Sequence, residues 1–178
     1  MVERIVLTGA ECTGKTTLAR ALSDYFGEPW TAEFVRDYAA RLDRPLAAED
    51  LEPIGRGQLR REDEGAARAR RFVFHDTNLL SSIIYARHYF ATEIEWLNEA
   101  FFARDYALYF LCLPDFPWSP DPGQREGAGV RETLQGTFRR SLERLELPFV
   151  TVSGSPEARL HTAARILGSR SGKGPAGG

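Results

Sequence analysis

The chain has 178 residues, a formal net charge of −2, 43% hydrophobic and 27% charged residues, the balance of one globular domain with a full core. That charge gives no electrostatic case for nucleic acid or an anionic membrane, and no apolar stretch approaches the ~20 residues of a spanning helix. Cys12 and Cys112 suggest neither a disulfide framework nor a zinc site, and Met1-Val2-Glu3-Arg4 runs straight into a strand, leaving no room for a signal peptide. The expected compartment is therefore the reducing cytoplasm.

The first predicted strand, Arg4–Thr8, leads into Gly9-Ala10-Glu11-Cys12-Thr13-Gly14-Lys15-Thr16, which reads G-x-x-x-x-G-K-T. A helical pattern follows from Thr17 to Phe26, with Gly27 placed to stop it. Strand, Gly-rich loop and helix together form a phosphate-binding P-loop. Its glycines let backbone N–H groups turn inward, and the helix N-terminus adds partial positive charge. Gly9, Cys12, Thr13, Gly14, Lys15, Thr16 and Thr17 are thus the expected ATP-binding residues, with Lys15 on the β/γ-phosphates and the Thr16 hydroxyl on Mg²⁺. Of 23 Lys and Arg residues, Lys stands only at 15 and 173. The arginine bias spared position 15, where a compact ammonium fits a phosphate nest and a planar guanidinium does not.

Further strands are predicted at Trp30–Glu33, Phe72–His75, Leu108–Cys112 and Phe149–Val152. Helices are predicted at Asp50–Arg70, Asn78–Tyr89, Glu93–Ala103 and Arg131–Arg144, and from Pro156 to Leu167. The face of the longest begins with Leu51, Ile54, Gln58 and Leu59 and continues with Ala66, Ala67 and Ala69. Such alternation predicts a five-stranded parallel sheet with helices on both faces and the ligand beyond the strands' carboxyl ends. The P-loop domain is expected over 1–168, with a Gly/Ser/Pro-rich disordered tail over 169–178.

Each strand's exit is therefore a place to look for chemistry. After the second come Glu33 and Arg36. The carboxylate can accept a proton from a substrate hydroxyl and the guanidinium can hold substrate oxygens, or the pair is a cap and a surface Arg. Asp76, after the third strand, suits a Mg²⁺ organiser and also an N-cap for the next helix. His75 reads as a satisfied, partly buried histidine. After the fourth strand a long segment carries Phe116, Trp118, Arg125 and Arg131 among prolines and glycines. It has the makeup of a lid, with Arg125 and Arg131 meeting phosphoryl charge and Trp118 and Phe116 stacking on an aromatic ring, or of a mobile loop whose aromatics anchor it. Ser153-Gly154-Ser155-Pro156 suits a turn beside adenine. The arginines of the long helix, Arg56 to Arg71, are interrupted by Glu62, Asp63 and Glu64 and read as a solvated face rather than a nucleic-acid surface.

Taken in order, Gly9–Thr17, Glu33-Phe34-Val35-Arg36-Asp37-Tyr38, Gly57-Gln58-Leu59 with Glu62 and Glu64, Asp76-Thr77-Asn78, and Pro117-Trp118-Ser119-Pro120-Asp121 resemble the P-loop nicotinamide riboside kinases related to the kinase domain of the bacterial NadR-type NAD-biosynthesis protein. The resemblance implies a nucleoside/nucleotide-kinase-like fold with a lid. It also implies ATP- and Mg²⁺-dependent phosphorylation of the ribose 5′-hydroxyl of nicotinamide riboside, giving nicotinamide mononucleotide. Lys15, Glu33, Asp76 and Arg125 would be catalytic; Glu33, Arg36, Asp76, Trp118 and Arg131 would meet the acceptor; Thr16 and Asp76 would meet the metal. Glu33 is the preferred base and Asp76 its rival. Relatives often carry an adenylyltransferase domain before the P-loop, for which a loop starting at residue 9 leaves no room, and Asn78 stands where a second acid is expected. The alternatives are a kinase of another small nucleoside or nucleotide, or an ATP-dependent switch without a small acceptor. The absence of N-K-x-D argues against a GTPase, and the length against an AAA+ module with its second, helical domain.

Overall fold

The computed structural model describes residues 1–117 and 128–170. Five parallel strands, β1 (Glu3–Thr8), β2 (Trp30–Thr31), β3 (Phe72–Asp76), β4 (Leu108–Cys112) and β5 (Phe149–Val152), lie in the order β2-β3-β1-β4-β5. The central strand β1 therefore delivers the P-loop to the middle of the sheet's carboxyl edge. Leu7 pairs with Asp76 on one side and Thr8 with Leu111 on the other.

Alternation along the strands divides the core between the two faces. Ile5, Leu7, Phe72, Phe74, Leu108 and Phe110 pack with α1 (Lys15–Phe26) and α7 (Pro156–Arg170). Val6, Tyr109 and Leu111 pack on the opposite face with α4 (Leu79–Phe90), α5 (Glu95–Phe102) and α6 (Ala128–Arg144). Two further helices, α2 (Phe34–Ala39) and α3 (Leu51–Arg68), flank the β2 edge, and a 3₁₀ turn at Ala48–Asp50 leads into α3. Helix α1 is bounded by two left-handed glycines, Gly14 at φ 80° and Gly27 at φ 64°, a conformation that costs glycine nothing.

Most element limits shift from the sequence reading by one to three residues, and the differences at β2, α3 and α7 have clear structural consequences. Strand β2 ends at Thr31, and Glu33 caps α2 instead of ending a strand. The reason is a change of hydrogen-bond partner: Arg61 of α3 donates to the Ala32 and Glu33 carbonyls, and the Gln58 amide oxygen accepts from the Phe34 N–H. The buried stripe of α3 turns through Glu62 and Gly65 rather than the expected Ala67, which is exposed. Gly65 is required there because a Cβ would strike Thr31 and Val73. Helix α7 continues past Leu167 to Arg170.

Candidate active site

The P-loop is fastened from three directions. Gly9 at φ 128° passes so close to β4 that a Cβ would meet the Cys112 carbonyl at 2.9 Å. Gln135 of α6 donates to that carbonyl at 3.0 Å and accepts the Ala10 N–H at 2.9 Å. Arg159 of α7 is buried and uses its guanidinium on four acceptors: the carbonyls of Thr13 (2.5 Å), Leu113 (2.8 Å) and Gly154 (3.0 Å), and the Asp115 carboxylate (3.0 Å). Phe116 stacks on Arg159 at 4.6 Å, and its ring would lie 3.0 Å from a Cβ at Gly14. Within the loop, Thr13 Oγ1 donates to the Ala10 carbonyl at 2.9 Å, and Lys15 Nζ donates to the same oxygen at 2.6 Å. Cys12 holds φ 52°, while Thr17 is exposed on α1.

Beside the loop, Thr16 Oγ1 donates to Asp76 Oδ2 at 2.5 Å. The other Asp76 oxygen is buried without a partner. An unpaired buried carboxylate oxygen is costly, and a hydroxyl with a free carboxylate oxygen is a donor set suited to Mg²⁺. Thr16 and Asp76 therefore fit the metal expected of a P-loop. No group of three or more His, Cys, Asp or Glu ligands exists among the described residues.

Within electrostatic reach of Asp76, Glu33 lines a largely apolar cavity. Its side chain is 18% exposed and lies 4.0 Å from Arg36. Burial pushes the Glu33 carboxyl up to about 7; Lys15 opposes this, Asp76 adds to it, Arg36 opposes it, and Glu11 adds to it. Such a value is poised for accepting a proton near neutral pH. Leu51, Ile54, Ile94 and Leu97 wall the cavity, with Tyr85 and Tyr89 stacked at 5.8 Å and 14°. Burial, helped by Glu11 and Glu33, holds the Tyr85 phenol well above its ordinary value. The Ser81 hydroxyl lines the same cavity, buried and unpartnered.

A polar latch shapes one wall. Asp50, 2% exposed, receives two bonds from Arg44 (2.7 and 3.0 Å), one from the Ala47 N–H (2.8 Å) and one from Tyr38 (2.9 Å). Arg44 and the other donors hold its carboxyl well below the usual carboxylate range. The latch folds Leu46 and Ala47 against the cavity.

The structure thus brings Lys15, Thr16, Asp76 and Glu33 to one edge, with Arg36 beside Glu33. Arg131 sits at the start of α6 and donates to the Phe116 carbonyl at 2.9 Å. Trp118 and Arg125 lie outside the described residues. His75 departs from expectation: it is wholly buried, its Nδ1 meets Thr31 Oγ1 at 2.8 Å, its Nε2 has no partner, and burial pushes it down to about 3. Phe116 lies against the P-loop instead of on an open ring site. Asn78 Nδ2 donates to the Tyr109 hydroxyl at 2.9 Å, so this position is turned into the core. Arg56 makes the expected i,i+4 pair with Glu52, whereas Arg61 bonds to the Glu33 turn and to Asp37. Sequence reasoning passed over Arg159, Gln135 and the Asp50 latch. A lone Arg or Gln on a helix carries no periodic signal; Gln58 alone of the long-range polar anchors stood out, by its place on the apolar face of the longest helix and by the resemblance.

Sheet order, P-loop and flanking acids define a P-loop protein of the nucleoside/nucleotide-kinase-like fold. Residues 4–159 match the AAA_28 family, described as an AAA domain, and the chain belongs to that family. Among the described residues there is one sheet with its helices and no second helical domain. The trifunctional NAD biosynthesis/regulator protein NadR of Escherichia coli (strain K12) is 25% identical over 156 residues, covering 85% of this chain. The chain spans only 38% of that protein's length. Among solved structures, NadR protein in complex with NR superposes with a TM-score of 0.79 at 21% identity, over 97% of this chain and 52% of the other. Deoxyadenosine kinase from M. mycoides gives 0.68 at 13% identity, over 93% of this chain and 99% of the other. At such identities the structural likeness is one of fold. No described helix is long and apolar enough to cross a membrane.

Proposed function

We propose that the protein is a nucleoside kinase that transfers the γ-phosphoryl group of ATP to the ribose 5′-hydroxyl of nicotinamide riboside, giving nicotinamide mononucleotide. The observation that carries this reading is the placement of the Glu33 carboxyl, raised to about 7, in the lining of a largely apolar cavity and within electrostatic reach of Lys15 and Asp76. A switch without an acceptor has no use for such a cavity. Likeness to proteins named for NAD biosynthesis and solved with NR supports the pyridine riboside as occupant.

In this mechanism the P-loop amides and Lys15 hold the phosphates, and phosphoryl transfer proceeds in line by positioning and charge neutralisation. Thr16 and Asp76 would hold Mg²⁺, which supplies further neutralisation of phosphate charge when bound. Glu33 takes the proton of the 5′-hydroxyl as that oxygen attacks. Arg36 binds ribose oxygens, the Tyr85–Tyr89 pair faces the ring, and Ser81 offers a hydroxyl to a ring substituent. Trp118, Arg125 and Arg131 remain assigned to the lid, with Arg125 meeting transition-state charge. Two cysteines, at 12 and 112, in no disulfide-framework pattern support a reducing, cytoplasmic setting.

The test is ATP consumption with Mg²⁺ and a panel of nucleosides against an acceptor-free blank, with the phosphorylated product identified by mass. Turnover should be highest with nicotinamide riboside. Preference for a purine or pyrimidine nucleoside would reassign the acceptor, and ATP hydrolysis indifferent to every nucleoside would reject the kinase.

A further inference from the structure

Gln58 is 2% exposed in the buried stripe of α3, and its amide meets three residues. Its Oε1 accepts the Phe34 N–H at 3.1 Å, one residue after Glu33. Its Nε2 donates to Glu62 Oε1 at 3.2 Å and lies 3.5 Å from the Thr77 carbonyl, one residue after Asp76. An N–H can only donate and a carbonyl can only accept, so these neighbours fix which way the amide points. Glu62 is wholly buried, and its second oxygen accepts the Tyr106 hydroxyl at 2.7 Å.

The turns that Gln58 joins each need holding. Thr77 sits at φ 65°, a left-handed conformation unfavourable for a β-branched residue unless its surroundings fix it. Its N–H is tied to the Leu7 carbonyl at 3.0 Å, and its carbonyl faces Gln58. On the other turn, Gly57 leaves room for the Phe34 ring, which any Cβ there would strike, and Arg61 donates to the Glu33 carbonyl at 3.1 Å.

We propose that Gln58 is a positioning residue that sets the placement of the Glu33 carboxyl relative to Asp76, its amide oriented by Glu62 and Tyr106. Its amide is committed to Phe34, Glu62 and Thr77, although the residue also lines the cavity, and its catalytic meaning rests on the kinase reading above. Charged neighbours are assigned: Lys15, Asp76, Arg36 and Glu11 act on Glu33, and Arg4 and Arg104 act on Glu62.

The test uses Gln58→Leu and the exchanged pair Gln58→Glu/Glu62→Gln. The single variant strips the Phe34 N–H and the Thr77 carbonyl of their partner. The exchange restores an acceptor for Phe34 and a donor–acceptor contact between positions 58 and 62. Carboxyl-¹³C NMR follows the Glu33 titration, with Glu33→Gln identifying the signal. In folded Gln58→Leu the midpoint should fall by about one pH unit or more as the loosened turn hydrates the carboxyl. The rate of phosphoryl transfer should drop about tenfold or more with MgATP affinity within about twofold. The exchanged pair should recover most of both effects. If Gln58→Leu does not fold, Gln58→Met, which has no amide for the Phe34 N–H or the Thr77 carbonyl and adds no charge, decides in its place: a fallen Glu33 midpoint supports the proposal, and an unchanged one overturns it. A folded Gln58→Leu with unchanged Glu33 titration also overturns it. A wild type that phosphorylates no nucleoside rejects the kinase reading, and the Glu33 titration still decides the positioning role.

Discussion

Glu33→Gln keeps the side chain's size and removes its capacity to take a proton. The wild-type carboxyl is pushed up to about 7, chiefly by burial. At that midpoint about one-eleventh of the molecules carry ionised Glu33 at pH 6, and about ten-elevenths at pH 8. A base acting as carboxylate therefore loses about tenfold in rate over that interval, whereas one titrating near the ordinary value loses almost nothing. The assay is single-turnover phosphoryl transfer at saturating MgATP and acceptor, across about pH 5.5 to 8.5, for wild type and variant. ATP itself ionises in this range, so the decisive quantity is the ratio of the two rates, in which that ionisation cancels. The ratio should be about 10²–10⁴ at pH 8, the usual worth of a general base, and about tenfold smaller at pH 6. A ratio near unity, or one that does not change with pH, would refute Glu33 as the base.

Lys15→Ala should abolish transfer while circular dichroism remains native, and Lys15→Arg should fail as badly, since a guanidinium does not fit the nest; near-wild-type turnover by either folded variant would count against the P-loop chemistry. Asp76→Asn should raise the Mg²⁺ concentration for half-maximal rate by about tenfold or more, because it removes the charge that holds Thr16 and faces the metal; an unchanged Mg²⁺ titration would take Asp76 out of that role. Glu62, pushed up to about 7 by burial, binds its proton more tightly folded than unfolded. The stability it contributes is complete below the unfolded value near 4.5 and is lost as pH rises through about 7. Glu62→Gln should therefore flatten the fall in urea stability between about pH 4.5 and 8, by about 3 kcal/mol at most; parallel profiles for the two proteins would contradict the burial account.

The fold was legible because its signals are local and repeated. β4 and β5 have the expected limits, and G-x-x-x-x-G-K-T fixed the central strand and first helix together. Thr16 was marked by the P-loop motif and Asp76 by the rule that chemistry gathers where strands end, and the fold sets the two side chains in contact. The β2 exit failed for a physical reason: its backbone groups are taken by Gln58 and Arg61, some 25 residues on, and no local pattern encodes that exchange. The alanines of α3 misled in a similar way. Its buried face is set by what lies opposite, so Gly65 beneath Thr31 and Glu62 beneath Tyr106 displaced the apolar choice. Arg159 was invisible because a helical arginine reads as a surface residue until the carbonyls around it are known.

The two sides of the site are held by different means, and the difference follows from what each side must do. Phosphate binding needs a backbone concavity that does not yield when charge enters, since its amides act without reorganising. Arg159 meets that requirement. Its planar guanidinium, fully charged, spans the Thr13, Leu113 and Gly154 carbonyls and Asp115 at once, and its own burial is offset only while all of those bonds persist. In the proposed kinase reaction the acceptor side needs a carboxyl whose charge can change near neutral pH. A cation buried next to Glu33 would pin it ionised and lower its pKa. Instead the turn is gripped at its backbone, by an uncharged amide from Gln58 and by an Arg61 guanidinium bonded to carbonyls, while the cations that favour its ionised form, Lys15 and the largely exposed Arg36 at 4.0 Å, are outweighed by burial. Rigid placement is thus obtained without fixing the protonation state, and the raised pKa of Glu33 is the consequence.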